Sequence, residues 1–313
     1  MIIANRSQMN PKNALQGLNN PAIIVHGGAW SIPDDLKAEH LVGVINAVKT
    51  GYQILVEHGS ALEAVERAVV CMEEDPTFDA GIGSFLNEEG YVELDALIMD
   101  GNTLNAGAIG AVSNCRNPII LARRLLEKIN SPMMLVGRGA DKFAEKVGLS
   151  CDPKELIIPR EQERWEKGNV GKDIFSPNAK GTVGAVAVDM NGHLASATST
   201  GGSPFKMIGR LGDSPLIGSG GYASEVAAAS STGHGESFMK LNAAKLAIDL
   251  VEQGHTPQMA AKIVIEKIAS INGYGGIIII DKQSRLGFHF STTRMAYASI
   301  SKEGHLDSGI DPK

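Results

Sequence analysis

The chain has 313 residues, 43% of them hydrophobic and 20% charged, enough to bury a large core and too apolar for a disordered chain. A formal net charge of -6 leaves no basic face for phosphate backbones, so small solutes or proteins are expected as partners, and no nucleic acid. No apolar run reaches the length of a bilayer span, and the polar opening from Met1 to Asn20 lacks a signal-peptide pattern, so no membrane contact and a cytoplasmic setting are expected. Cys71, Cys115 and Cys151 are odd in number and widely spaced, which reads as free thiols.

In chain order, Ala22 to His26 is a predicted buried strand, and Gly27-Gly28-Ala29-Trp30 is expected to turn the backbone sharply. Helices are predicted from Leu36 to Glu57 and from Ser60, whose hydroxyl can cap the second, with Glu63 three places on. Strands come next at Tyr91 to Met99 and Ala106 to Val112, then a helix from Pro118 to Lys128. A strand at Met133 to Gly137 and a helix at Ala140 to Val147 complete the first half. Between Leu149 and Lys180 charges, prolines and a lack of apolar period predict an exposed, mobile linker.

A strongly β-like block begins abruptly at Thr182, turns at Asn191-Gly192 and returns from His193 to Thr198. Further strands are predicted at Pro215 to Ala223 and Glu225 to Ser231, and helices at Glu236 to Gln253 and Thr256 to Ile271. Strands at Gly276 to Lys282, Leu286 to Ser291 and Ala296 to Ser301 finish the chain. Runs of strands in both halves, separated by paired helices, point to an α+β class with two stacked sheets between helical layers, αββα.

Gly181-Thr182, at the junction of linker and strand, is a sensible place to cut the chain. Attack of the Thr182 hydroxyl on the Gly181 carbonyl would leave Thr182 with a free amine, whose reference pKa of about 8 lets it take the hydroxyl proton at neutral pH. On its own, a Gly-Thr pair is more often a plain strand opener. Other clusters shift the balance. Thr200, at the end of the return strand, can lie near Thr182, or serve an ordinary turn. Arg210 and Asp213 suit the α-carboxylate and α-ammonium of an amino acid, or form a surface ion pair worth at most ~1 kcal/mol. Thr232 and Gly233 can stabilise an oxyanion, cap a helix, or both.

Together these residues resemble the plant-type asparaginase and isoaspartyl peptidase family of N-terminal-nucleophile (Ntn) hydrolases. The likeness runs from Ala22 to Ser301, through His26-Gly27-Gly28-Ala29, Phe78 to Ser84, Glu93-Leu94-Asp95-Ala96, Met99 to Asn102, Gly181 to Gly184, Thr198 to Gly202, Gly209 to Pro215 and Thr232-Gly233. It implies a four-layer αββα sandwich of mainly antiparallel sheets, and self-cleavage into an α subunit (residues 21–181, behind a polar tail at 1–20) and a β subunit (182–313) that share one structural domain. A homodimer of such αβ heterodimers acting on L-asparagine or β-aspartyl dipeptides is implied as well, with no cofactor for the chemistry. It assigns Thr182 as nucleophile, Thr200 as its support, Arg210 and Asp213 as substrate anchors, and Thr232 and Gly233 as the oxyanion hole. Gly27 and Gly28 enter as possible support. The loop of Met72, Glu73, Asp75, Phe78, Ala80 and Ile82 resembles one that holds a structural Na+ through main-chain carbonyls. Two departures stand out: Asp79 where many members carry asparagine, which puts its support of the nucleophile in doubt, and Trp30 where others carry glycine, expected to narrow the pocket or shield the linker. Glycosylasparaginases, taspase-like endopeptidases and an uncut amino-acid-binding protein are the alternatives.

Overall fold

The computed structural model describes residues 20–128, 132–168 and 181–312. Twelve strands among them form two sheets. The larger has the order β12-β11-β1-β5-β6-β2-β3-β4 and the smaller β10-β9-β8-β7. Their ranges are β1 Ala22–Trp30, β2 Leu94–Asp100, β3 Ala106–Val112, β4 Met134–Val136, β5 Val183–Val188 and β6 Leu194–Thr200. After them come β7 Gly221–Ala223, β8 Ala227–Gly233, β9 Gly275–Asp281, β10 Leu286–Phe290, β11 Arg294–Ile300 and β12 Leu306–Gly309. All pairings are antiparallel except β3 with β4.

Helices α1 (Lys37–Val56), α2 (Ala61–Glu73) and α3 (Pro118–Leu126) cover the outer face of the large sheet. Helices α7 (Ala243–Glu252) and α8 (Pro257–Ser270) cover the small one. The remaining helices are α4 (Arg138–Val147), α5 (Pro159–Lys167) and α6 (Gly235–Leu241). Three apolar layers result: one under α1 to α3, one between the sheets, and one under α7 and α8. Central strands such as β5, Val-Gly-Ala-Val-Ala-Val, are buried at every position because one face meets a helix layer and the other meets a sheet. This is the expected αββα sandwich.

Strong local signals decide where two of the helices begin. Ser60 Oγ accepts the Glu63 amide at 3.2 Å and starts α2. Thr256 caps α8 in the same way, accepting from the Met259 amide. Elsewhere tertiary contacts alter the outline. β1 does not turn at Gly27 but runs on to Trp30, absorbing the glycines as a bulge against β11 between His26 and Ala29. The predicted strand at 215–223 shrinks to β7. The long helix predicted from Glu236 breaks at Asn242, whose left-handed φ of 48° separates α6 from α7. Strand β12 has no counterpart among the predicted elements.

The predicted linker is a second correction. Residues 159–167 form α5, held by Trp165, whose indole N–H donates to the Asn87 carbonyl at 3.0 Å while its ring packs against Gly90. The surrounding sequence is so charged that one aromatic anchor leaves no apolar period. The rest of that expectation, residues 169–180, and the tail up to residue 19 lie outside the described residues.

Candidate active site

Thr182 lies immediately before β5, in the centre of the large sheet, and is 7% exposed. Its Oγ1 is 2.8 Å from Ser214 Oγ. Ser214 is itself fixed, because its carbonyl accepts the Thr198 hydroxyl at 2.7 Å. The β5–β6 register pairs Val183 with Ser199, so one further step brings Thr182 opposite Thr200. The Thr200 hydroxyl accepts the Gly202 amide at 2.9 Å, which turns the chain sharply after β6.

Gly181 is wedged where no side chain fits. A Cβ there would lie 2.7 Å from Thr232 Oγ1, 2.8 Å from Gly28 Cα and 2.9 Å from the Ala29 nitrogen. Gly28 is the reciprocal half of this contact: with φ of 97°, a Cβ on it would meet the Gly181 carbonyl oxygen at 2.8 Å. The bulge in β1 therefore delivers Gly28 to the main chain ahead of Thr182. Gly27 faces the other way, towards Phe78 and Val44.

Thr232 is the penultimate residue of β8 in the second sheet, so the site spans both layers. Its Oγ1 accepts the Ala29 amide at 3.3 Å, and a hydroxyl placed there, beside Gly181, can also donate. Gly233 comes next with φ of 137°, packed on Tyr274 and Gly275 too tightly for any Cβ.

The charged pair lies in the loop after β6. Asp213 is 3% exposed, and its Oδ2 accepts Ser231 Oγ at 3.1 Å. Burial pushes its carboxyl up to about 7, against the Ser231 hydrogen bond and the positive charge of Arg210. Arg210 sends Nε and Nη2 to Glu236 Oε1, at 3.1 and 2.8 Å. Burial opposes ionisation of Glu236, but the Arg210 guanidinium outweighs it and holds the carboxyl below its ordinary range. Arg210 Nη1 points away from Glu236, into a space kept open by Gly202 and Gly212. An amino-acid carboxylate suits that open edge.

Nothing in the local sequence singles out Ser214, Ser231, Glu236 or His26 for contact with the site. His26 Nε2 is 2.9 Å from Ser230 Oγ and its ring lies over Gly184. Burial lowers it to about 3, partly offset by the main chain of Thr182, so the imidazole is neutral at physiological pH. Serines and glutamates are too common for local sequence to mark them; only the folded chain joins positions such as 182 and 214.

Asp79 is brought beside the site: its carbonyl accepts the Gly201 amide at 3.0 Å and Oδ1 accepts the Phe85 amide at 3.0 Å. Oδ1 thus accepts a main-chain donor, a task that an asparagine oxygen performs equally well. Trp30 corrects the second expectation. It is 4% exposed and turns into the core beneath α1, its ring 5.7 Å from that of His40, rather than lining a pocket, and the linker residues 169–180 lie outside the described residues.

The loop after α2 wraps tightly. Glu73 O accepts the Ile82 amide, Asp75 O the Phe78 amide, and Gly81 and Gly83 adopt φ of 55° and 90°. Main-chain carbonyls there keep a second lone pair. No cluster of three or more His, Cys, Asp or Glu side chains capable of holding a metal occurs among the described residues. No helix among them is long and apolar enough to cross a membrane.

Known proteins match this chain over most of its length. The profile of a family described as asparaginase matches residues 19–310. The isoaspartyl peptidase/L-asparaginase of Bos taurus is 46% identical over 299 residues, covering 93% of this chain and 96% of that protein. The Homo sapiens protein of the same name is 45% identical, over 94% of this chain and 97% of its own length. The plant-type L-asparaginase of Pyrococcus furiosus is 42% identical, covering 90% and 97%.

Proposed function

The chain belongs to the asparaginase family, and we propose that it is a hydrolase that cuts itself between Gly181 and Thr182, then uses Thr182 on L-asparagine, β-aspartyl dipeptides or both. The observation that carries this reading is the contact of Gly181 with Gly28, Ala29 and Thr232, which sets a hydroxyl beside the bond to be cut. In maturation, Thr182 Oγ1 attacks the Gly181 carbonyl carbon, the C–N bond breaks as the ester forms, and water hydrolyses that ester. The released α-amine is the general base for turnover, with a reference pKa near ~8.

In turnover, Arg210 holds the substrate's α-carboxylate and Asp213 its α-ammonium. Thr182 attacks the side-chain carbonyl while Thr232 and Gly233 stabilise the oxyanion; ammonia or an amino acid leaves, and water releases aspartate from the ester. Ser214 orients the nucleophile, supported by the 2.8 Å contact of their hydroxyls. Thr200 supports it from the neighbouring strand. None of these steps draws on a cofactor. Asp79 and Gly27 shape the surroundings rather than meet substrate.

A structural Na+ fits the loop of Met72, Glu73, Asp75, Phe78, Ala80 and Ile82, where the donors are carbonyl oxygens suited to a hard ion. The assembly proposed is a homodimer of αβ heterodimers, and the setting cytoplasmic, supported by the free thiols of Cys71, Cys115 and Cys151.

Denaturing intact mass of the incubated protein tests the scheme. Two fragments, 1–181 and 182–313, are expected from wild type and one chain from Thr182→Ala, which also loses all hydrolysis. A processed, fully active Thr182→Ala variant would overturn the mechanism. A wild-type chain that stays whole and binds amino acids without turnover would make it a binding protein.

A further inference from the structure

The Glu93-Leu94-Asp95-Ala96 segment lies before the scission point and outside the residues assigned to chemistry. Glu93 is nonetheless 8% exposed, and both its carboxylate and its carbonyl reach the loop that carries Arg210. Its Oε1 and Oε2 each lie 3.1 Å from the Gly209 amide nitrogen, the residue directly before Arg210. Oε2 also accepts Asn87 Nδ2 at 3.2 Å. Its carbonyl accepts Lys206 Nζ at 2.8 Å, from a lysine only 1% exposed.

The loop between these points is a tight turn. Gly209 has φ of 75°, and the Arg210 amide donates back to the Met207 carbonyl at 2.9 Å. Further bonds join the same two segments: Ile208 N to Glu88 Oε1 at 3.1 Å, Glu88 N to Lys206 O at 2.9 Å, and Phe205 N to Leu86 O at 2.9 Å. Arg210 is thus held at two ends. Glu236 takes one edge of its guanidinium, and Glu93 fixes its main chain through Gly209.

We propose that Glu93 is a positioning residue for substrate capture, fixing the Lys206–Gly209 turn so that the Arg210 guanidinium stands ready for the substrate's carboxylate. The inference rests on the substrate role of Arg210 proposed above. A carboxyl group from a buried residue that accepts the Gly209 amide is a directional restraint on the turn, and without it the turn must be ordered by substrate at the expense of affinity. After self-cleavage this restraint would pass between two separate chains, making the α chain a determinant of the β chain's binding site.

The test compares Glu93→Ala, Glu93→Gln and, as a control on the same loop, the exposed Glu89→Gln. Each is scored for extent of self-cleavage by mass and for KM and kcat on a β-aspartyl dipeptide and on L-asparagine. Expected for Glu93→Ala is normal cleavage, kcat little changed, and a KM raised about ten-fold, equivalent to ~1.4 kcal/mol. Glu93→Gln, which still offers an oxygen to the Gly209 amide, should recover most of that loss, and Glu89→Gln should match wild type. If Glu93→Ala cleaves normally and keeps its KM, or if it only lowers the active fraction, the positioning role is wrong. Should Glu93→Ala fail to fold, a Lys206→Met enzyme, whose turn has lost its tie to the Glu93 carbonyl, overturns the proposal if it cleaves normally and keeps the wild-type KM. Absence of wild-type turnover on both substrates would instead remove the parent reading, and with it this one.

Discussion

Asp213 shows how burial sets both function and stability at a single residue. With its carboxyl raised to about 7, it is increasingly neutral below that pH and would lose the charge with which it is proposed to hold an ammonium group. The expected kcat/KM therefore falls as pH drops through 7, a limb that Asp213→Asn should abolish along with most activity. The stability effect has the opposite sign. The folded state binds the Asp213 proton more tightly than the unfolded chain does, so this group's contribution is full below about 4 and is lost as pH rises through 7. Asp213→Asn should accordingly melt higher than wild type at pH 8, and the difference should vanish near pH 4.

Gly181 makes a second residue-scale prediction. Gly181→Ala places a methyl within 2.9 Å of Thr232 Oγ1, Gly28 and Ala29, so the strands must part to admit it. Slower or absent self-cleavage is expected, read as the half-time of fragment formation, in a protein that still folds. Legibility differs sharply at this scale. Thr182, Arg210 and Asp213 are legible as candidates because a glycine-threonine junction and a cation-anion pair in a loop carry chemistry in their side chains. Ser214, Ser231 and Glu236 are not, since their importance lies only in what they touch.

At the scale of elements, β1 and α5 each turn on one aromatic side chain. Trp30 fills the layer under α1, so Trp30→Ala should cost about 3–5 kcal/mol of stability in a denaturant titration. The fraction of cleaved chains should be unchanged, because the ring faces away from Gly181. Helix α5 owes its place to Trp165, with the buried Glu161 between Arg160 and Arg164. Trp165→Ala should raise hydrogen exchange across residues 159–167 without altering exchange in β5. Both features escape sequence reading for the same reason: a lone aromatic in a glycine-rich or charged segment has no periodicity to announce its burial.

Across the whole molecule, the strand order interleaves the segment before Gly181 with the segment after it. β1 lies between β11 and β5, and β2 pairs with β6, so every proposed seam is closed by sheet hydrogen bonds on central strands. Cutting one peptide bond cannot release either piece. Native mass spectrometry should find both fragments in 1:1 association, separating only under denaturant.

The sequence by itself determined the layers, the capped starts of α2 and α8 and the Asn191-Gly192 hairpin, and it named Thr182, Arg210 and Asp213 as candidates. These arise from short-range causes: side-chain period, capping hydroxyls, turn-forming glycines and the intrinsic reactivity of a few groups. Only the tertiary structure decided that β1 runs on through its glycines, that Asn242 breaks a helix, that Ser214 meets Thr182, and that Glu236 and Glu93 hold Arg210 and the residue before it. Those outcomes depend on contacts between residues tens to hundreds of positions apart, whose energies exist only once both sheets are stacked.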